Sequence, residues 1–186
     1  MRKARNEHPT IGRIHGAIAN TMPDEANELV QRFRSLSAAL SGEDDLGMVV
    51  RAHIVIEHEL EEFVRLAAPE PSQVKFSEMD FDGKVRLALV LGLNPELKPA
   101  LNATGSLRNK FSHRLEMKLG EPEANNLFAT LTPDSRKATQ KLYAQFITQG
   151  QVRKLQEATL QDRVQMFFIM IFSQLIAQQR LLEDDN

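Results

Sequence analysis

The chain has 186 residues, no cysteine and a formal net charge of −2 at pH 7. This length suits one domain that buries a full hydrophobic core without covalent cross-links. The lack of thiols excludes disulfides and thiolate metal sites, and it favours a reducing compartment. The small net charge argues against a protein that coats nucleic acid along its whole surface.

No segment of the sequence predicts export or membrane insertion. Residues 1–9 are basic but lack the apolar stretch of a signal peptide. The longest apolar run, Met166 to Phe172, is far too short to cross a bilayer. We therefore expect a cytoplasmic protein without a membrane partner.

Hydrophobic spacing predicts one helix after another, and strand patterns are nearly absent. Gly12 and Gly16 interrupt residues 1–20, which we interpret as a flexible basic arm. Residues 21–186 are predicted to form a single domain, an all-α antiparallel helical bundle of five to seven helices. Within it we expect a motif-bearing core at about 43–120 and a C-terminal helical hairpin at about 133–182. The helices are predicted at about 21–40, 45–67, 85–93, 94–119, 132–148 and 158–182.

Residues 107–114, Leu-Arg-Asn-Lys-Phe-Ser-His-Arg, are the most informative stretch of the sequence. A helix turns by about 100° per residue, so Arg108, Asn109 and His113 share a polar arc when Phe111 points inward. Arginine can clamp a phosphate with a planar set of donors, and histidine can move a proton near neutral pH. Both abilities are needed to cut RNA without a metal, and these three polar residues are the candidate catalytic group.

Small polar residues continue this arc along the same predicted helix. They permit close approach by a second helix or a ligand, so we expect this face to contact RNA or a twin subunit. Gly105→Leu should then disturb dimerisation or ligand access more than folding. The alternative is that Gly105 and Ser106 simply kink or break the helix. The residues predicted to face RNA or a partner are Asn102, Gly105, Ser106, Lys110, Ser112 and Arg114.

Arg108 and His113, separated by four residues and with polar Asn109 after the arginine, resemble the signature of the HEPN superfamily. The apolar Val-Arg-Leu helix within Phe81 to Leu93, followed by this motif, also resembles the mannitol-operon repressor family. Together the resemblances cover residues 48–118.

The HEPN resemblance implies a metal-independent endoribonuclease of the toxin or defence kind, or an RNA-binding relative that has lost catalysis. In such enzymes two subunits share one cleft, where the RNA 2′-hydroxyl attacks the adjacent phosphorus and the 5′-oxygen leaves. His113 would move a proton, Arg108 would hold the phosphate, and Asn109 would orient the imidazole or bind a phosphate oxygen. Arg108 and His113 lie about 140° apart on an ideal helix, so one motif converges poorly on a phosphate. A dimer resolves this by pairing the arginine of one subunit with the histidine of the other.

The resemblance to the mannitol-operon repressors supports a second hypothesis, a non-enzymatic transcriptional regulator that acts through protein–protein contacts. No basic helix-turn-helix pattern stands out in the sequence. The predicted partners are a second copy of the chain, RNA, and an antitoxin or regulatory protein. We expect no cofactor and no metal.

Two further groups of residues have a structural and a functional interpretation. His53, Glu57 and Glu61 recur at four-residue spacing and could suggest metal ligands or an acid–base pair. Because His53 falls in an apolar stripe, we interpret it as a hydrogen-bonded core histidine, and Glu57, Glu61 and Glu62 as a solvated face. Met166 to Phe172 predicts buried packing, with a subunit interface as the alternative.

Overall fold

The computed structural model of the protein describes residues 32–33, 35–40, 42–113, 117–146 and 154–184. Within these ranges the chain is an all-α helical bundle without strands, which confirms the predicted fold class. The predicted arm at 1–20, most of the first predicted helix and Arg114 lie outside the described residues. None of the described helices is long and apolar enough to cross a membrane.

Six α-helices make up most of the described chain. They are α1 (Asp45–Ala67), α2 (Phe81–Val90), α3 (Lys98–Ser112), α4 (Glu121–Ala129), α5 (Pro133–Phe146) and α6 (Leu160–Asp184). Short 3₁₀ turns lie at Pro71–Gln73, Phe76–Glu78, Pro95–Leu97 and Leu155–Glu157. Residues 35–40 form a further helical segment before α1.

Helix α6 forms the centre of the bundle and packs against α1, α4 and α5. Every side chain from Arg163 to Phe172 is buried, including the whole apolar run from Met166 to Phe172. Contacts within one chain therefore account for this run, as the buried-packing hypothesis predicts, and no subunit interface is needed to cover it.

Helix α2 differs from its prediction in position. It begins at Phe81, before the predicted start at Val85, because Asp80 caps it. Asp80 Oδ1 accepts a hydrogen bond from Gly83 N at 2.7 Å, a contact that stabilises a helix by about 1 kcal/mol. Although the helix is apolar in sequence, it does not lie in the centre of the bundle, since Val90, its last residue, is 82 % exposed.

Helix α3 carries the arginine–histidine motif and buries an apolar stripe that includes Phe111, which points inward as predicted. It ends at Ser112, well before the predicted end at about residue 119, and His113 is its C-cap. The backbone N–H of His113 donates to Asn109 O at 3.2 Å and closes the last turn. The buried residues of the stripe are Leu97, Leu101, Thr104, Leu107 and Phe111.

A buried ammonium group joins α1 to α2. Lys84 Nζ donates to Glu57 Oε1 at 2.5 Å and to Glu61 Oε1 at 2.6 Å, and the lysine side chain is only 8 % exposed. Burial by itself disfavours the charged ammonium, but the two carboxylates outweigh it and raise the pKa of Lys84 above its ordinary value. The prediction that Glu57 and Glu61 belong to a solvated face is therefore wrong, because α2 covers them.

Gly105 lets α2 approach α3 closely. A Cβ atom at this position would lie 3.0 Å from Cδ1 and 3.3 Å from Cε1 of the Phe81 ring. Gly105 is buried, and Phe81 of its own chain lies over it. The prediction that Gly105 faces RNA or a partner is therefore wrong. The absence of a side chain here serves packing between the two helices.

Gly105→Leu should lower the free energy of unfolding by about 2 kcal/mol, because a branched side chain cannot fit beneath Phe81 without displacing it. The gain in helix propensity, about 0.8 kcal/mol, opposes this loss but is smaller. Urea unfolding followed by circular dichroism measures the difference. Ser106→Leu, at the exposed neighbouring position, is the matched control and should change the value by less than about 0.5 kcal/mol. Equal effects of the two substitutions would contradict the packing role of Gly105.

Lys84→Met should lower the free energy of unfolding by about 3 kcal/mol, since two partly buried carboxylates lose their shared cation. Replacing both acids as well, in Lys84→Met with Glu57→Gln and Glu61→Gln, should restore much of the loss. Arg86→Met removes the exposed ion pair with Asp82 on the same helix and should cost less than about 1 kcal/mol. Urea unfolding at neutral pH compares the three variants with the wild-type chain.

The effect of Lys84→Met should also depend on pH. Burial raises the pKa of Glu61, but hydrogen bonds from Lys84 and Arg65 lower it more, so the net pKa lies below the ordinary value of 4.5. The carboxylate therefore stabilises the folded chain above pH 4.5, and this contribution is lost as the pH falls through the lower, folded-state pKa. The stability gap between the wild-type chain and Lys84→Met should narrow on acidification. A gap that widens would contradict this account.

Candidate functional site

A cleft of about 540 Å³ is lined by side chains from α1, α2 and α3. Three separate helices thus meet at one concave, polar surface, and its volume lies in the range of small-molecule sites. Helix α3 supplies the wall that carries part of the sequence motif. The lining residues are His53, Glu57, Asp80, Phe81, Asp82, Asn102, Gly105, Ser106, Arg108 and Asn109.

The cleft brings together two of the three predicted catalytic residues. Arg108 and Asn109 line it, whereas His113 does not. His113 is exposed at the end of α3, where its backbone rather than its ring completes the helix. A single described chain therefore does not place the arginine and the histidine of the motif in one cavity.

Of the residues predicted to face RNA or a partner, some line the cleft and others lie outside it. Asn102 and Ser106 are exposed in the cleft, whereas Ser112 and Lys110 lie outside it. Ser112 Oγ donates to Arg108 O at 3.0 Å, a contact within its own helix. Lys110 Nζ lies 3.7 Å from Glu123 Oε1, so its ammonium group lies beside α4 and not in the cleft.

The guanidinium of Arg108 is exposed and keeps unused hydrogen-bond donors. Its Nη1 donates to Asn109 Oδ1 at 3.1 Å, and it forms no ion pair with any residue that the structure describes. This hydrogen bond orients the guanidinium beside the cleft without neutralising it. A guanidinium in this state can bind a phosphate through two parallel hydrogen bonds.

His53 is buried, as predicted, but the predicted hydrogen bond is not found among the described residues. The residue is 5 % exposed, and its Nδ1 lies 3.6 Å from Glu57 Oε2, beyond hydrogen-bond distance. Its ring packs against Phe81 with the centroids 4.5 Å apart. Burial lowers the pKa of His53, Glu57 partly offsets this, and the charges of Arg108 and Lys84 lower it further. The imidazole is therefore neutral near pH 7.

Each carboxylate of the cleft already has a partner in its own chain. Glu57 binds Lys84, Asp82 binds Arg86, and Asp80 caps α2. Arg108 is thus the charged group of the cleft that is left for a ligand. No cluster of three metal-binding side chains occurs among the described residues.

Sequence reasoning missed the walls that α1 and α2 contribute to this cleft. The turn Asp80-Phe81-Asp82-Gly83 carries a capping signal, an acid three residues before a glycine at a helix start, which could have placed the beginning of α2. Nothing local in the sequence indicates that Phe81 lies over Gly105 and beside His53, because those contacts depend on how three helices pack.

Comparisons of this chain with protein-family models, with curated proteins and with solved structures found no match. The resemblances to the HEPN superfamily and to the mannitol-operon repressors accordingly stay predictions that depend on the residues quoted for them.

Proposed function

We propose that the protein binds RNA at the Arg108 edge of the cleft and cleaves it without a metal, at a site shared by two copies of the chain. The observation that carries this proposal is the exposed Arg108 guanidinium, which is oriented by Asn109 and makes no ion pair with the described residues. It lies beside hydrogen-bonding groups of Asn102 and Ser106 that can contact phosphate and sugar oxygens.

A second copy is needed because the proposed proton carrier lies outside the cleft. His113 is exposed at the C-terminal end of α3, while Arg108 lies more than one helical turn earlier and lines the cavity. A twofold axis beside α3 would bring the His113 of one copy to the Arg108 of the other, and the same operation would build a second, equivalent site.

The proposed reaction is an internal transfer of the phosphoryl group. The 2′-hydroxyl attacks the adjacent phosphorus and loses its proton to a base, and the bond from phosphorus to the 5′-oxygen breaks. The products are a 2′,3′-cyclic phosphate and a 5′-hydroxyl, which takes a proton from an acid. Arg108 would stabilise the negative charge that grows on the phosphoryl oxygens, and an imidazole would transfer a proton. The requirement for a 2′-hydroxyl makes RNA, and not DNA, the substrate.

A non-enzymatic regulator that acts through protein contacts is the second candidate, and one observation favours it. Ile54, Leu66 and Val90 on α1 and α2 are 58 %, 37 % and 82 % exposed. Exposed apolar side chains of this kind can contribute to a protein–protein interface. On this hypothesis Arg108 would contact an acidic group of the partner protein.

The nuclease proposal predicts that the purified protein cleaves total RNA in the presence of EDTA. Arg108→Ala and His113→Ala should each lower the cleavage rate by at least about 100-fold, the usual contribution of a charge-stabilising or proton-transferring group. Lys110→Ala removes a cation from the same helix outside the cleft and should leave the rate unchanged. RNA that stays intact with a folded, dimeric wild-type protein would instead support the regulator.

Co-expression of Arg108→Ala and His113→Ala chains tests whether the site is shared. Half of the randomly formed dimers would contain one chain of each kind, and one of their two sites would keep both intact residues. The mixture should therefore recover about a quarter of the wild-type rate. Cleavage by a monomeric wild-type protein, or no recovery in a mixture shown to contain mixed dimers, would contradict a shared site.

A further inference from the structure

His53 is a buried polar side chain that the proposed function leaves unused. It is 5 % exposed, makes no hydrogen bond with the described residues, and lines the same cleft as Arg108. No fully buried side-chain nitrogen or oxygen lacks a hydrogen-bond partner among the described residues, so the unpartnered ring nitrogens of His53 keep access to solvent, on the side where the residue lines the cleft. A polar atom of a ligand in the cleft can supply the missing bond.

Glu57 determines which ring nitrogen of His53 is available. Its Oε1 is held by Lys84 at 2.5 Å, and its Oε2 is the polar atom beside His53 Nδ1, at 3.6 Å. A carboxylate fixed next to Nδ1 favours the neutral tautomer that carries its proton on that nitrogen. Nε2 is then an acceptor, and it suits a hydroxyl group of the ligand.

The other walls of the cleft restrict the chemistry of that ligand. Arg108 and Asn109 offer donors to an anionic group, while Asp80, which has no ion pair with the described residues, disfavours a second one. A polyanion lying along the whole cleft is therefore disfavoured. A ligand with one phosphate and several hydroxyl or amino donors is complementary to this arrangement, and a ribonucleotide has that composition.

We propose that the cleft of one chain binds a single ribonucleotide unit, with its 3′-phosphate on Arg108 and its adjacent 2′-hydroxyl on Nε2 of His53. The proposal deepens the nuclease function proposed above and rests on it for the identity of the substrate. If RNA is cleaved here, His53 lies where the proton of the attacking hydroxyl is accepted. His113 of the second copy is then left to protonate the departing 5′-oxygen.

Binding of 3′-adenosine monophosphate, measured by calorimetry, tests the site without any need for catalysis. We expect a dissociation constant of about 1 mM or below for the wild-type chain. Arg108→Ala and His53→Phe should each weaken binding at least about tenfold. The 2′-deoxy form of the probe lacks the hydroxyl, so it should bind the wild-type chain as weakly as the ribonucleotide binds His53→Phe. His58→Phe, at an exposed position on the same helix outside the cleft, should leave binding unchanged.

His53→Phe keeps a ring of similar size against Phe81, and circular dichroism establishes whether it is folded. A second measurement uses the wild-type chain alone: titration with 3′-adenosine monophosphate should shift the ¹⁵N resonance of His53 Nε2, and Glu57→Gln should change the starting position of that resonance. No binding, equal binding of the 2′-deoxy probe, unaltered binding by folded His53→Phe, or an unshifted His53 resonance at saturation would each overturn the proposal.

The two proposals fail in different ways. Nucleotide binding that depends on His53, together with intact RNA in the cleavage assay, would reject the nuclease and retain the binding site. RNA cleavage that depends on His113, together with nucleotide binding that ignores His53, would reject the binding site and retain the shared nuclease site.

Discussion

The geometry of the cleft depends on the contact of Lys84 with Glu57 and Glu61. This ammonium holds α2 against α1, and Phe81, about one turn earlier on α2, consequently lies on His53 and over Gly105. The same contact gives Glu57 a partner, so this carboxylate lies beside His53 without forming an ion pair with Arg108. Lys84 therefore determines both the position of Phe81 and the charge pairing of Glu57 at the cleft.

The local distribution of charge leaves a cation of the cleft without an ion pair among the described residues, although the net charge of the chain is −2. The acids that line the cleft are each bound to a neighbour in their own chain, whereas the Arg108 guanidinium binds, among the described residues, the amide oxygen of Asn109. The net charge of a protein affects its long-range encounters, but a single phosphate responds to the groups within a few ångströms of it. One guanidinium beside carboxylates that are already bound can take a single phosphate group through parallel hydrogen bonds.

The sequence predicted the parts of the fold that depend on local periodicity. The burial of Phe111 and of the run from Met166 to Phe172 follows from helical spacing and from apolar content. The partners of Gly105 and Glu57 could not be predicted in this way. A small residue on a helix indicates close approach but not by what, and an acid pair at four-residue spacing is solvated unless another helix brings a lysine to it. Both outcomes were decided by where α2 packs.

His53 and His113 differ in burial and in position. This difference bears on which of them could accept a proton and which could donate one at a metal-free site. His53 is buried beside a fixed carboxylate, and burial lowers the pKa of its imidazole, so it is neutral and able to accept a proton. His113 is exposed at the end of α3 and does not line the cleft. Transfer of a phosphoryl group needs one proton acceptor and one proton donor on opposite sides of the phosphorus. The cleft has one imidazole of its own, and a second copy of the chain would supply another, so a dimer would meet that need. A single motif on one helix would not, because its arginine and histidine lie about 140° apart on an ideal helix.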